Sequence, residues 1–249
     1  MIEVIYVMWL RQLKRYWRSK SRLIGSLGQS VLFLVALGFG FNPVFERAGG
    51  GNYIQFLSPG IIAMSILFTS MFTGIEVVWD RKFGFLKETL VAPISRTHIM
   101  LGRTLGGATI AVAQGLVVFL LTLLVGFRPS DMASIVPAIL FMSLIALLMT
   151  ALGTAIASRI DDMHAFPMVM NFLIMPMFFL SGALFPLEDL PPTLDLLVKL
   201  NPLSYGVDGL RGTLTGQSGF SLPLDLTVLA VLTLVVNFVG GYLFSKIEL

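Results

Sequence analysis

The chain has 249 residues, 56% of them hydrophobic and only 12% charged, with a mean hydropathy of +0.87. Soluble domains carry about twice that charge, and the apolar residues here fall in runs of membrane-span length rather than in one large soluble core. No cysteine is present, which excludes disulfides, thiolate catalysis and Cys-ligated metals, and the net charge of +3 matters less than its distribution along the chain.

Residues 1–22 form an amphipathic helix. Arg11, Lys14, Arg15, Arg18 and Arg22 share one narrow face, and Ile2, Ile5, Tyr6, Trp9, Leu13, Tyr16 and Trp17 the opposite one. This is the pattern of an interfacial helix along the inner leaflet. Trp9 and Trp17 would then sit at headgroup depth beside Arg11, Arg15 and Arg18. A cleaved signal peptide fits poorly, because the apolar run that follows is long for an h-region.

Six runs are suited to crossing a bilayer: residues 23–41, 54–79, 104–127, 132–157, 166–185 and 222–244. The N-terminal segment, the loop after the second run, Arg159 and Lys246 together hold thirteen of the 17 Lys and Arg residues. Arg47, Arg128, Lys199 and Arg211 lie on the other side. The positive-inside rule therefore puts both termini in the cytoplasm, as an even number of spans requires.

Residues 80–103 form the longest cytoplasmic loop, polar but punctuated by Phe83, Phe85, Leu86, Leu90 and Val91. An apolar cluster rimmed by charge is either a docking surface or a patch sunk into the headgroup layer. On the outer side, residues 186–221 imply two short helices, neither long enough to cross. The first covers 193–200; the second has Asn201 as N-cap and Pro202 at its first position and runs to about residue 214, with Gly216 after it. Asp208 and Arg211 are spaced to pair. So many leucines predict that both helices dip back into the outer leaflet.

Several chemistries are absent. No G-x-x-x-x-G-K-[ST] motif exists, so the chain does not bind ATP through a P-loop. His98 and His164 fall in loops and outside any H-E-x-x-H, and no histidine lies in a span to activate Ser181. Glu76 sits one turn before Asp80 at the cytoplasmic boundary marked by Trp79, and is read as hydrated there rather than as a proton relay. Asp225, near the outer end of the last span, is read in the same way. Gln114, Asn171 and Asn237 are deeper polar groups of the kind that hydrogen-bond between helices.

Three stretches carry a family resemblance: FLSPGIIAMSILFTSMFTGIEVVWDR (56–81), GFLKETLVAPISRTHIMLGRTLGG (84–107) and FLSGALFPLEDLPPTLDLLVKLNPLSYGVDGLR (179–211). L-K-E-x-L-x-A-P-x-S-R, S-G-x-x-F-P-x-x-x-L-P and N-P-x-x-Y together form a specific combination. The chain resembles the type-2 permease subunits of ATP-binding cassette exporters, especially those similar to daunorubicin-resistance permeases. The resemblance implies a single all-α transmembrane permease domain over residues 1–249. It would have six spans, the N-terminal interfacial helix and two outer re-entrant helices, in the cell membrane.

The resemblance further implies a coupling helix around residues 80–90 that docks on a separate ATPase. Arg81, Phe83, Gly84, Phe85, Leu86 and Glu88 would be its contact residues, and Pro93, Ser95 and Arg96 would shape the return into the third span. Pro186, Asn201, Pro202 and Tyr205 would mark an outer gate. The implied partners are two ATPase subunits carrying ATP and Mg, a second permease copy in a homodimer, and membrane lipid, but no nucleic acid. The chain itself would hold no catalytic residue, cofactor or metal. Phe68, Phe72, Phe119, Phe172, Phe178, Met170 and Met175 suit an amphipathic cargo, but they are also ordinary helix-packing residues. Two other classes are a secondary transporter or channel, which needs ionisable groups at mid-span, and a non-transporting membrane scaffold.

Overall fold

A computed structural model of the chain describes residues 2–86, 94–160, 162–187 and 190–246, and no strand occurs among them. The protein is a helical membrane protein. Helix α1 (Ile2–Arg18) ends at Ser19, and α2 (Lys20–Arg47) follows directly. Next come α3 (Tyr53–Thr73) and α4 (Ile75–Lys82), which together form one apolar rod, Tyr53–Lys82. Four more helices or segments are also long and apolar enough to cross a membrane. They are α2, α5 (Arg96–Val125), the Met132–Ala157 segment containing α6 (Ile135–Ala157), and α10 (Leu222–Ser245).

The expected span at 166–185 is shorter than its apolar run. Helix α7 (Ala165–Phe179) has 15 residues, about 22 Å of rise against ~30 Å of hydrocarbon. The chain leaves it through a turn in which Gly182 adopts φ 74°. Helices α8 (Pro192–Leu200) and α9 (Pro202–Thr215) complete what α7 leaves short. Asn201 Nδ2 donates to the Met177 carbonyl at 2.7 Å and Ser204 Oγ to that of Leu180 at 3.1 Å, satisfying acceptors at the open end of α7. Helix α9 lies against α3, α6 and α10, so protein covers its ends.

Helix α3 is the axis of the bundle. It is apolar all round, as a helix buried on every side must be, and α2, α5, α6, α7 and α9 surround it. Asn52 caps its start, accepting from Ile54 N at 2.9 Å, while Asn42 of α2 accepts from Tyr53 N at 2.8 Å. Helices α2 and α10 stand outside and expose apolar residues such as Leu32, Phe39, Leu234 and Phe238.

Between these helices association depends on close packing, because lipid is as apolar as their side chains. Small residues supply it. Gly74, at the α3–α4 junction, lies against the Gly153 carbonyl of α6, and a Cβ on Gly153 would come within 2.6 Å of the Met71 carbonyl. Gly107 of α5 faces Thr73 and Thr150 at the same crossing. Gly153→Ala should overpack this crossing and lower the apparent Tm by roughly 3–10 °C, read by size-exclusion chromatography after heating. Gly25→Ala on α2, where no atom lies within 4 Å, should leave it unchanged.

Candidate functional site

Helix α4 extends the α3 rod beyond what the bilayer needs. The 30-residue rod Tyr53–Lys82 is about 45 Å long against ~30 Å of hydrocarbon. Its surplus end carries Glu76 and Asp80, four residues apart and therefore on one face. Both carboxylates are enclosed by protein, at 2% and 4% exposure. Glu76 is thus not hydrated at the boundary, as its neighbourhood in the sequence predicted. It lies under α1 and α2, which bring their own cations to it.

Four arginines from three helices surround the pair. Arg11 Nη2 donates to both oxygens of Asp80, at 3.0 and 3.1 Å. Arg15 Nη1 donates to Asp80 Oδ1 at 3.1 Å and comes within 3.9 Å of Glu76 Oε2. Arg22, at the start of α2, donates to Glu76 Oε1 at 2.8 Å. Arg103 of α5, itself only 2% exposed, donates to Asp80 Oδ2. Trp79 lies beneath Arg15 and Arg22, with ring centroids 5.7 and 5.9 Å from the guanidinium carbons. The hub therefore joins α1, α2, α4 and α5 at one end of the bundle. Arg81 Nη2 adds the end of α6 through the Ser158 carbonyl at 2.7 Å, and Arg96 Nη1 ties α5 to the Ser245 carbonyl at 2.8 Å.

The residues expected to contact an ATPase are divided by this arrangement. No continuous helix starts at Asp80: α4 ends at Lys82, Gly84 takes φ 78°, and Phe85 and Leu86 are helical again. A left-handed backbone there suits glycine and breaks the helix. Phe83 is 76% exposed, Phe85 is partly exposed with Arg11 stacked 3.8 Å over its ring, and Leu86 is buried. Glu88 and Pro93 lie outside the described residues.

The expected membrane-interface set also separates. Trp17 and Arg18 are exposed. Trp9 Nε1 donates to Thr109 Oγ1 at 3.0 Å, and Arg11 and Arg15 turn to Asp80. The face of α1 packed on α5 is centred on Met8, Gln12 and Tyr16, where Gly102 and Gly106 let the backbones approach.

At the opposite end Asn201 caps α9 as expected, accepting from Leu203 N at 3.1 Å. Pro202 opens that helix, Tyr205 donates to the Lys199 carbonyl at 2.8 Å and stacks on Phe220, and Pro186 is exposed. Asp208 and Arg211 do not pair with each other. Asp208 instead accepts from Gly219 N and Phe220 N, both at 2.8 Å. Arg211 donates to the Gly182 carbonyl at 2.7 Å and lies 4.0 Å over the Phe56 ring. Asp225 is fully buried in the first turn of α10 rather than hydrated.

Sequence reasoning missed Arg22 and Arg103 as members of a site. The available signal was Gly102 and Gly106 flanking Arg103, a small-xxx-small pattern that marks a helix contact rather than a loop.

Residues 3–215 match the family model described as ABC-2 type transporter, and the chain belongs to that family. It is 29% identical, over 99% of its length and 89% of the relative's, to a protein of Porphyra purpurea bearing the name transport permease ycf38. It is 31% identical to the protein of that name from Pyropia yezoensis, over 85% of this chain and 74% of the relative. Nodulation protein J of Rhizobium leguminosarum bv. viciae is 26% identical over 90% of this chain and 86% of that protein. Membership makes the chain a transmembrane transport permease and implies partnership with an ABC ATPase subunit.

Removing one partner from a buried charge group leaves the others uncompensated. Asp80→Asn should therefore cost about 3–5 kcal/mol, seen as a lower unfolding temperature of the purified chain. Adding Arg103→Met should recover part of that loss, because it removes the most deeply enclosed of the freed cations.

Proposed function

We propose that this permease forms the translocation path of an ATP-driven exporter. Two copies associate as a homodimer in the cell membrane, with both termini cytoplasmic, and two ATPase subunits bind ATP and Mg beneath them. The segment from Arg81 through Glu88 docks on the ATPase. ATP binding shifts this segment, and the path opens outward or to the outer leaflet. The cargo is an amphipathic, drug-like, lipid-linked or saccharide molecule. The exposed apolar flanks of α2 and α7, with Phe39 on one and Phe172 on the other, supply surface for the second copy.

The observation that carries this reading is the buried hub beside an exposed aromatic. Phe83 is exposed one residue beyond α4, while Glu76 and Asp80 of α4 hold arginines of three other helices. A partner that seizes Phe83 and its neighbours pulls on a rigid rod whose end is ion-paired to α1, α2 and α5. A secondary transporter would need a carboxylate free to titrate at mid-span; Glu76 is instead held by Arg22.

The test is co-purification from the native host. Phe83→Asp should reduce recovery of a P-loop ATPase with the tagged permease at least about tenfold, as loss of an aromatic anchor does, while the permease keeps its elution profile. Undiminished recovery in Phe83→Asp and Phe85→Asp would remove this segment as the docking element. Recovery of no ATPase from wild type, even after cross-linking in intact membranes, would remove the exporter reading.

A further inference from the structure

A crevice of about 500 Å³ opens between α1, the start of α2 and the middle of α5, within the roughly 300–1,000 Å³ range of small-molecule sites. Leu23 and Leu27 of α2 and Ile110 and Val117 of α5 form apolar walls. Lys14 and Arg18 of α1 also line it, and both are exposed. Unlike Arg11 and Arg15 on the same helix, neither makes an ion pair among the described residues.

Gln114 is the buried polar residue of the lining: it is 4% exposed, and its Oε1 accepts from the Tyr16 hydroxyl. Apolar walls and two cations without an ion-pair partner among the described residues together describe one chemistry. A hydrocarbon chain fits the walls, and a phosphate with net negative charge fits the cations. A zwitterionic headgroup would bring its own ammonium to Lys14 and Arg18.

We propose that this crevice is a binding site for an anionic phospholipid of the surrounding membrane. One acyl chain lies between α2 and α5, and the headgroup phosphate lies between Lys14 and Arg18. Basic pockets between membrane helices hold anionic headgroups by this electrostatics. The site does not depend on the exporter reading, since it uses neither Phe83 nor the ion-paired hub.

The test is native mass spectrometry of the full-length chain, exchanged in non-ionic detergent against equimolar phosphatidylglycerol and phosphatidylcholine. Phosphatidylglycerol should be retained in preference. Lys14→Gln and Arg18→Gln should each lower its retention about fivefold. Both side chains are exposed and unpaired, so the variants should keep the wild-type elution profile. Ala113→Phe, which fills the crevice from its exposed α5 wall, should abolish retention. Lys246→Gln, an exposed cation away from the crevice, should leave it unchanged. Equal retention of the two lipids would overturn the proposal. So would a preference that survives both substitutions, or one that Lys246→Gln reduces as much. Recovery from native membranes of a bound non-phospholipid amphiphile in place of phosphatidylglycerol would also overturn it.

Discussion

Two carboxylates, one helical turn apart on α4, determine how one end of this permease is built. Enclosing either charge without a partner would cost several kcal/mol in desolvation. Guanidinium groups are suited to compensate them, since each is planar, permanently charged and able to reach two oxygens. Arg11 Nη2 reaches both oxygens of Asp80, and the enclosed Arg103 donates to Oδ2 of the same carboxylate. Among the described residues four cations surround two anions, an excess of positive charge. Arg103 Nε and Nη1 have no acceptor among the described residues. Helix α1 is accordingly not a loosely adsorbed surface helix. Its place is set by Asp80 on one side and by the glycines of α5 on the other.

The rod that presents these carboxylates is also tied down at its other end. Tyr53 Oη donates to the Leu184 carbonyl at 2.7 Å, Phe56 lies under Arg211, and Gly60 presses on the Ala183 backbone. One helix axis therefore touches both the α1 hub and the turn that leads into α8 and α9. Side chains alone would hold such ends loosely. Here the Gly74–Gly153 crossing fixes the middle of the rod through backbone contact, which transmits displacement with little give.

The membrane class, most span positions, the Asn201 cap and the Gly216 stop were legible because each rests on local rules: run length, capping chemistry and a left-handed residue. The start of α5 was not. Residues 96–103 are polar enough to read as loop, yet they form the first two turns of a helix whose Gly102 and Gly106 receive α1. The faces of α1 were legible, but their partners were not. Periodicity separates Arg11 and Arg15 from the aromatics, but it cannot say that a carboxylate in another helix lies opposite them. Asp208 and Arg211 illustrate the converse. Spacing allowed a pair, but tertiary acceptors and donors from the 182 and 219–220 turns claimed both groups.

On the exporter reading, the hub also offers what a coupling element requires. A nucleotide-driven change needs two arrangements of comparable energy, and a ligand moves the balance only by its differential affinity for them. A hydrophobic contact between α1 and α4 would resist sliding in proportion to the area lost. A hub with more cations than anions behaves differently. Arg15 already lies 3.1 Å from Asp80 and 3.9 Å from Glu76, so a shift of α4 by a fraction of a turn exchanges its carboxylate without leaving either acid unpaired. Arg22 and Arg103 stay with Glu76 and Asp80 as fixed partners, while Arg15 is shared between the two acids. On that reading the excess positive charge, costly in a static fold, would let the helices change register while Glu76 and Asp80 each keep a guanidinium.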